Sequence, residues 1–357
     1  MPISEVAAPI ALAVLKVAII ALIGYALARR GILHSSALSD ISSLVIKVTV
    51  PCLIFAYAAN GRTGLTPLSS LVTIAAAPII LIFGCISGLA LSKLARVRPT
   101  HLRAVLGAST FQNASYLPIT VATSVLPPLA AAFPTGIATA HSVIEANGLV
   151  AISLFIVLYS PIFWGIGLWW ILDSHEGSKD GAWAWMVRLF PPPVWGVLSG
   201  YLVGLTPLHL GLTPPHAPLH FLYQAVSDIG SLTIPLANLI LGGMLASALS
   251  SRAAQARDVI SAVGAKLLLT PAITLGLLWA CRAWWTKNPA LSLAAFIIFL
   301  EATSPPATNL AVMTKEKAGD TVSQAPLVIP GLLLAAYPLA ILTMPLWLLA
   351  FFQLLNH

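Results

Sequence analysis

Ten apolar runs, most of them as long as a bilayer-spanning helix, leave this chain little freedom to fold in water. Crossing a hydrocarbon core of ~30 Å takes about 20 helical residues. On that ruler the first half supplies Val6–Ala28, Ile41–Ala59, Leu68–Leu91, Ala104–Leu126 and Ile137–Tyr159. The second half supplies Phe190–Leu205, Ile229–Leu249, Val259–Cys281, Leu291–Met313 and Pro326–Ala350. The sixth run is short, because Pro191-Pro192-Pro193 breaks into it. Charged residues make up 8% of the 357, against about a quarter in a soluble domain, so the polar side chains needed to coat a globule are missing. The expected fold is an all-α membrane protein embedded in a lipid bilayer.

The basic residues set the orientation. With ten spans and both termini on the non-cytoplasmic side, twelve Lys and Arg residues fall in inside loops and three (Arg62, Arg282 and Lys287) in outside loops. The apolar stretch Ile162–Leu172 therefore extends helix five or lies at the interface, since an eleventh span would scramble that bias. The net charge of +7 forms no continuous stripe, which argues against a nucleic-acid partner. Cys52, Cys85 and Cys281 all sit inside apolar segments without metal-ligand spacing, so neither a metal nor a cofactor is expected. Arg29 and Arg30 follow the first apolar run instead of preceding it, the wrong polarity for a signal peptide. The membrane, cell or internal, is left open.

The chain also repeats itself. Ser39-Asp40-Ile41-Ser42-Ser43-Leu44 recurs as Ser227-Asp228-Ile229-Gly230-Ser231-Leu232, an offset of 188. The same offset carries Phe111–Thr120 onto Phe299–Thr308, with Phe, Ala, Pro and Thr coinciding. A looser echo sets Gly24-Tyr25 against Gly200-Tyr201. Two similar halves of five helices each must enter the membrane in opposite senses, an inverted repeat common among transporters. The expected division is residues 1–160, a connector over 161–189, and 190–357.

Runs four and nine carry the candidate site. Gln112-Asn113-Ala114-Ser115-Tyr116-Leu117-Pro118 and Glu301-Ala302-Thr303-Ser304-Pro305-Pro306 are the most polar intramembrane stretches of their halves. Proline removes a backbone donor and clashes with the carbonyl four residues back. Backbone groups freed in hydrocarbon cost several kcal/mol each unless buried in protein or facing water. The two breaks are therefore expected to meet. Half-helix N-termini would face an anion there, and Asn113, Ser115, Thr303 and Ser304 would hydrogen-bond to it. Tyr116, Pro118, Glu301, Pro305, Pro306 and, from helix five, Asn147 complete the candidate substrate-binding set.

Other intramembrane polar residues admit more than one reading. Glu301 is a proton carrier, a partner for a lysine, or a neutral acid. His141 and Glu145, four apart on one helix face, are a proton relay or a mutually satisfied structural pair. Asn147 lines the cavity or bonds a neighbouring helix. Lys47, and less so Lys16 and Lys266, is a counter-ion for an anion or snorkels to the interface. Asp40 and Asp228 are expected to cap their helices.

Several of these segments resemble the auxin efflux carrier family. Ile23-Gly24-Tyr25-Ala26-Leu27-Ala28-Arg29-Arg30-Gly31-Ile32-Leu33 is similar to its first helix, and Pro51-Cys52-Leu53-Ile54-Phe55 to its second. Pro191-Pro192-Pro193 with Thr206-Pro207, then Ile234-Pro235-Leu236 with Leu241-Gly242-Gly243, are similar to its sixth and seventh helices. Pro305-Pro306 leading to Lys315-Glu316 resembles the segment after its second break, with Thr314 in place of the usual alanine. Asn113–Pro118 is closer to the PIN-like branch than to the plant PIN branch, and no long hydrophilic central loop is present. The resemblance implies scaffold and transport subdomains around crossed helices four and nine. It also implies elevator-like export of a small organic anion, such as an indole carboxylate or a dicarboxylate, and allows a homodimer. The competing readings are a sodium/proton antiporter on the same plan and a membrane receptor without turnover. Nothing points to an enzyme: His141 and Glu145 lack zinc-protease spacing, and no nucleophile–base pair stands out.

Overall fold

The computed structural model describes residues 3–59, 65–114, 116–133, 141–167, 170–171, 192–248, 254–311 and 324–355. The first five-run stretch folds as α1 (Ile3–Arg29), α2 (Ser35–Leu44), α3 (Val50–Ala59), α4 (Pro67–Leu94), α5 (Pro99–Thr110), α6 (Tyr116–Val125) and α7 (His141–Pro161). The remainder folds as α8 (Pro192–Gly204), α9 (Leu208–Leu212), α10 (His220–Ser231), α11 (Thr233–Ala248), α12 (Ala256–Val263), α13 (Thr270–Ala280), α14 (Arg282–Trp285), α15 (Pro289–Thr303) and α16 (Ala325–Leu355). No strand longer than a single bridge occurs among the described residues.

Seven helical stretches among the described residues are long and apolar enough to cross a membrane, and the protein is a multi-pass membrane protein. The three expected runs that fall short do so for visible reasons. Run four is split between α5 and α6, α8 has 13 described residues, and α15 ends after 15 residues at the second break. The stretch after α7 continues it as a π-helical turn, Ile162–Gly167, so over those residues helix five is extended.

Two of the prolines within the membrane runs, Pro51 and Pro271, follow a locally rewound turn. π-helical turns at Val45–Thr49 and Gly264–Leu269 directly precede the short steps to Pro51 and Pro271. Pro271 cannot donate to the carbonyl of Leu267, four residues back. That carbonyl instead accepts the indole N–H of Trp347 at 2.8 Å, and the Thr270 hydroxyl donates to Ala265 O at 2.8 Å.

Asp40 and Asp228 do not cap. α2 begins five residues before Asp40, its N-cap is His34, and both aspartates are exposed within their helices. Gly31, at φ +74°, ends α1 in the left-handed region and lets the next helix start early.

Helix pairing sets the frame around the site. α1 packs along α11 and α8 along α3, while α4 lies against α5, α7 and α15. A Cβ on Gly242 would sit 1.7 Å from Ala21 O, and one on Gly24 2.1 Å from Leu239 O, so backbone touches backbone between α1 and α11. A Cβ on Gly200 of α8 would lie 2.7 Å from Ala58 Cβ and 3.0 Å from Phe55 O of α3. Where α10 gives way to α11, Thr233 donates to Thr49 Oγ1 at 2.9 Å, a contact just beyond the two segments that repeat at offset 188.

Candidate functional site

The two breaks meet. Phe111 and Ser304, the residues that close α5 and α15, both turn to extended backbone, Ser304 because it precedes proline. Gln112 then pairs with Pro306 in an isolated antiparallel bridge. Asn113 N–H donates to Pro305 O at 2.8 Å, and Ala307 N–H to Phe111 O at 2.9 Å. Pro305 and Pro306 lack N–H groups, which reduces the number of donors the bridge must satisfy. Pro118 falls in the first turn of α6, where proline is tolerated.

Two tyrosines take up carbonyls that the bridge leaves. Tyr337 of α16 donates to Pro306 O at 3.0 Å and accepts from Asn113 Nδ2 at 2.9 Å. Tyr159 of α7 donates to Gln112 O. Lys266, in the π-helical turn after α12, donates to the Gln112 side-chain Oε1 at 3.1 Å. Every buried group satisfied here avoids a penalty of several kcal/mol in a non-aqueous interior.

A cavity of about 50 Å³ opens beside the bridge. Its polar wall is Gln112, Asn113, Ser160, Thr308 and Asn309, and its apolar wall includes Ile46, Val50, Ile156, Phe163 and Pro193. Of the residues singled out in the sequence, Asn113 is therefore in the wall. Pro118, Pro305 and Pro306 are buried in or next to the bridge. Thr303 and Ser304 are buried with both hydroxyls donating back to Leu300 O at 2.9 Å, which turns their protons away from the cavity. Asn147 is fully enclosed in α7. Glu145 accepts from Tyr57 at 3.3 Å and is coupled electrostatically to Lys16, a pairing toward α3 and α1. Lys47 is exposed and outside the cavity wall. Ser115 and most of the connector 161–189 lie outside the described residues, as do the side chains of Tyr116 and His141.

Gln112, Tyr159, Thr308, Asn309 and Tyr337 lie outside the candidate set, and Lys266 stands in it only as a lesser counter-ion beside Lys47. The polarity of the two breaks could have suggested Gln112 and Thr308. The tyrosines and Lys266 come from α7, α16 and the α12 segment, and no spacing rule links them to the breaks.

A second polar cluster lies elsewhere. His101 in the first turn of α5 contacts Asp258 of α12 through Nδ1 at 2.7 Å and Gln324 through Nε2 at 3.1 Å. Both His101 and Asp258 are buried. The contact ties the helix that leads into the crossover to two neighbours.

The family model described as "Membrane transport protein" matches residues 9–348. The chain belongs to that family, which is the family of the auxin efflux carriers. The protein named PIN-LIKES 5 of Arabidopsis thaliana is 31% identical over 175 residues, covering 47% of this chain and 41% of the relative. PIN-LIKES 7 of the same plant is 27% identical over 172 residues, covering 47% and 42%. The matched stretch thus spans about two fifths of those relatives' own length. A protein of Methanothermobacter thermautotrophicus named as an uncharacterized transporter is 25% identical over 338 residues, 94% of this chain and 96% of the relative.

Proposed function

We propose that this member of the membrane transport protein family carries a small organic monoanion with an apolar body across the membrane, binding it at the crossover. The composition of the cavity carries the reading: amides and hydroxyls on one wall, hydrocarbon and an aromatic ring on the other. Amide N–H groups and hydroxyls donate to a carboxylate, and the N-terminal end of α6, two residues beyond the wall residue Ala114, adds partial positive charge. Lys266 stands one side chain behind the wall, bonded to Gln112. One cation at that remove balances one carboxylate, so a monoanion such as indole-3-acetate fits better than malate or malonate.

At about 50 Å³ the cavity is smaller than the ~300 Å³ at which ligand pockets begin, so binding requires the walls to part. The pairing of helices suggests how. α1 with α11 and α8 with α3 form mutually exchanged pairs, the relation expected of ten spans in two inverted halves, 1–160 and 190–357. In this reading these pairs are the scaffold, and α4–α7 with α12–α16 move past them, alternating access to the crossover. The cavity lies at the end of α7 that runs into the connector, the cytoplasmic side by the charge bias, with the chain termini opposite.

The antiporter reading asks for two carboxylates near the breaks, and among the described residues Glu301 is the one found there. The test is uptake of labelled indole-3-acetate, malate and malonate into proteoliposomes. Preference for the dicarboxylates would overturn the monoanion reading. Wild-type uptake by correctly inserted Asn113→Ala and Pro306→Ala would remove the site, and saturable binding without uptake would identify a receptor.

A further inference from the structure

A second and larger cavity, of about 290 Å³, shares no lining residue with the one at the crossover. It lies in the seam where α6 and α16 pack against α1 and α11. Two tyrosine hydroxyls are the only side-chain oxygens among its lining residues, which carry no side-chain nitrogen, and that of Tyr337 is committed to Asn113 and Pro306. Away from Tyr25, a polar group placed in the cavity therefore finds no side-chain partner, whereas hydrocarbon needs none. Val14, Leu117 and Met344 are buried at its floor, while Leu22, Pro338 and Ile341 are exposed at its edge. Leu15, Ile19 and Leu342 beside that edge are exposed too, so the mouth opens on the face that meets the lipid chains.

The wall from α1 is Val14, Val17, Ala18, Ala21, Leu22 and Tyr25, the spacing of a single helix face. At ~1.5 Å per residue, Val14 to Tyr25 spans about 16 Å. That is one leaflet's share of a ~30 Å hydrocarbon core. The next position on the same face is Arg29, four residues past Tyr25 and the last residue of α1. Arg29 and Arg30 are both exposed, and neither is in an ion pair among the described residues. By the loop charge bias this end of α1 is cytoplasmic, the side on which anionic headgroups concentrate. An apolar slot one leaflet deep thus leads up to a pair of unpaired cations at headgroup level.

We propose that this cavity is a lipid site, holding one acyl chain of an anionic phospholipid whose phosphate sits on Arg29 and Arg30. The chain enters between Leu22 and Ile341 and lies along α1 down to Val14. Any membrane lipid has a chain that fits, and a chain already in hydrocarbon gains little by moving into an apolar slot. Selection therefore falls to the headgroup, where each nearby arginine favours an anionic lipid. The site stands on the cavity and the arginines, whichever anion the crossover carries. It occupies the seam between the pair α1 and α11, read above as scaffold, and α6 and α16, read as moving.

The test places the full chain in phosphatidylcholine nanodiscs with a trace of phosphatidylglycerol that carries a diazirine near the end of one acyl chain. Illumination should attach the probe to peptides of α1 and α16. Unlabelled phosphatidylglycerol should suppress that labelling at least about fivefold more effectively than zwitterionic phosphatidylethanolamine. Arg29→Gln, a change at an exposed side chain, should cut the preference by about fivefold. Ala18→Phe, which fills the cavity, should abolish labelling of α16. Equal competition by the two lipids, or a preference that survives Arg29→Gln combined with Arg30→Gln, would overturn the anionic-lipid site. Labelling spread evenly over the lipid-facing helices would overturn the cavity as its place. Suppression by indole-3-acetate would give the cavity to the transported anion and overturn the proposal as well.

Discussion

Replacing Tyr337 by phenylalanine probes the crossover at a point where one hydroxyl serves both broken segments. That hydroxyl donates to Pro306 O at 3.0 Å, accepts from Asn113 Nδ2 at 2.9 Å, and is also hydrogen-bonded with Thr308. Removing it leaves the ring packing nearly unchanged but strips a partner from three buried groups, each worth about 1–3 kcal/mol when orphaned, of which Thr308, like Asn113, borders the cavity. Water there recovers part of both shares, and the net loss is about 2–3 kcal/mol. Tyr159→Phe strips only the Gln112 carbonyl and costs about 1–2 kcal/mol. Thermal denaturation in detergent, followed by a thiol-reactive dye on the half-buried Cys52 and Cys85, reads both. At this chain length about 2 °C accompanies each kcal/mol, so Tyr337→Phe should lower the midpoint by about 4–6 °C and Tyr159→Phe by about 2–4 °C at one fixed scan rate. A Tyr337→Phe protein that melts no earlier than Tyr159→Phe would refute the shared-hydroxyl account of the crossover.

Other expectations follow from single contacts. Gly242→Ala, whose new Cβ would lie 1.7 Å from Ala21 O, should force α1 off α11 and cost about 1–3 kcal/mol or prevent insertion, while Gly211→Ala, with nothing within 4 Å, should be neutral in the same denaturation assay. His101→Ala leaves the enclosed Asp258 carboxylate without its 2.7 Å contact and should cost about 3–5 kcal/mol; an unchanged midpoint would mean that the cluster does not hold α5. Asn309→Ala should weaken anion binding by about tenfold, one charge-assisted hydrogen bond, whereas Lys47→Gln, outside the cavity, should change it by less than about twofold; equilibrium binding of indole-3-acetate distinguishes the two.

Particular residues show how far the sequence could be read. The breaks were legible because proline and a run of amides and hydroxyls are costly in hydrocarbon, so Asn113–Pro118 and Glu301–Pro306 stood out of their apolar surroundings. Their meeting was legible from the shared offset of 188, and the bridge between Gln112 and Pro306 is where they meet. The roles inside the breaks were not. Thr303 and Ser304 looked like ligands, but a hydroxyl three or four residues beyond a helical carbonyl can bond that carbonyl, and both do. Lys47 and Lys266 each sit in an apolar helix beside a proline, and snorkelling fits either from sequence. One proves exposed and the other wholly enclosed. The aspartate caps failed because His34 and Leu219, further upstream, precede the helices instead.

The sequence by itself determined that the chain lives in a bilayer, that it is helical, and that two of its spans are interrupted at related positions. Those properties follow from local costs, the price of a bare backbone or a charge in hydrocarbon, and a local cost can be read from a short stretch of residues. Only the tertiary structure decided which side chains answer the interruptions. Lys266 reaches Gln112 across 154 residues, Tyr337 reaches Asn113 across 224, and Tyr159 reaches Gln112 across 47. Such pairings depend on how distant helices cross, and no periodicity or spacing along the chain encodes a crossing.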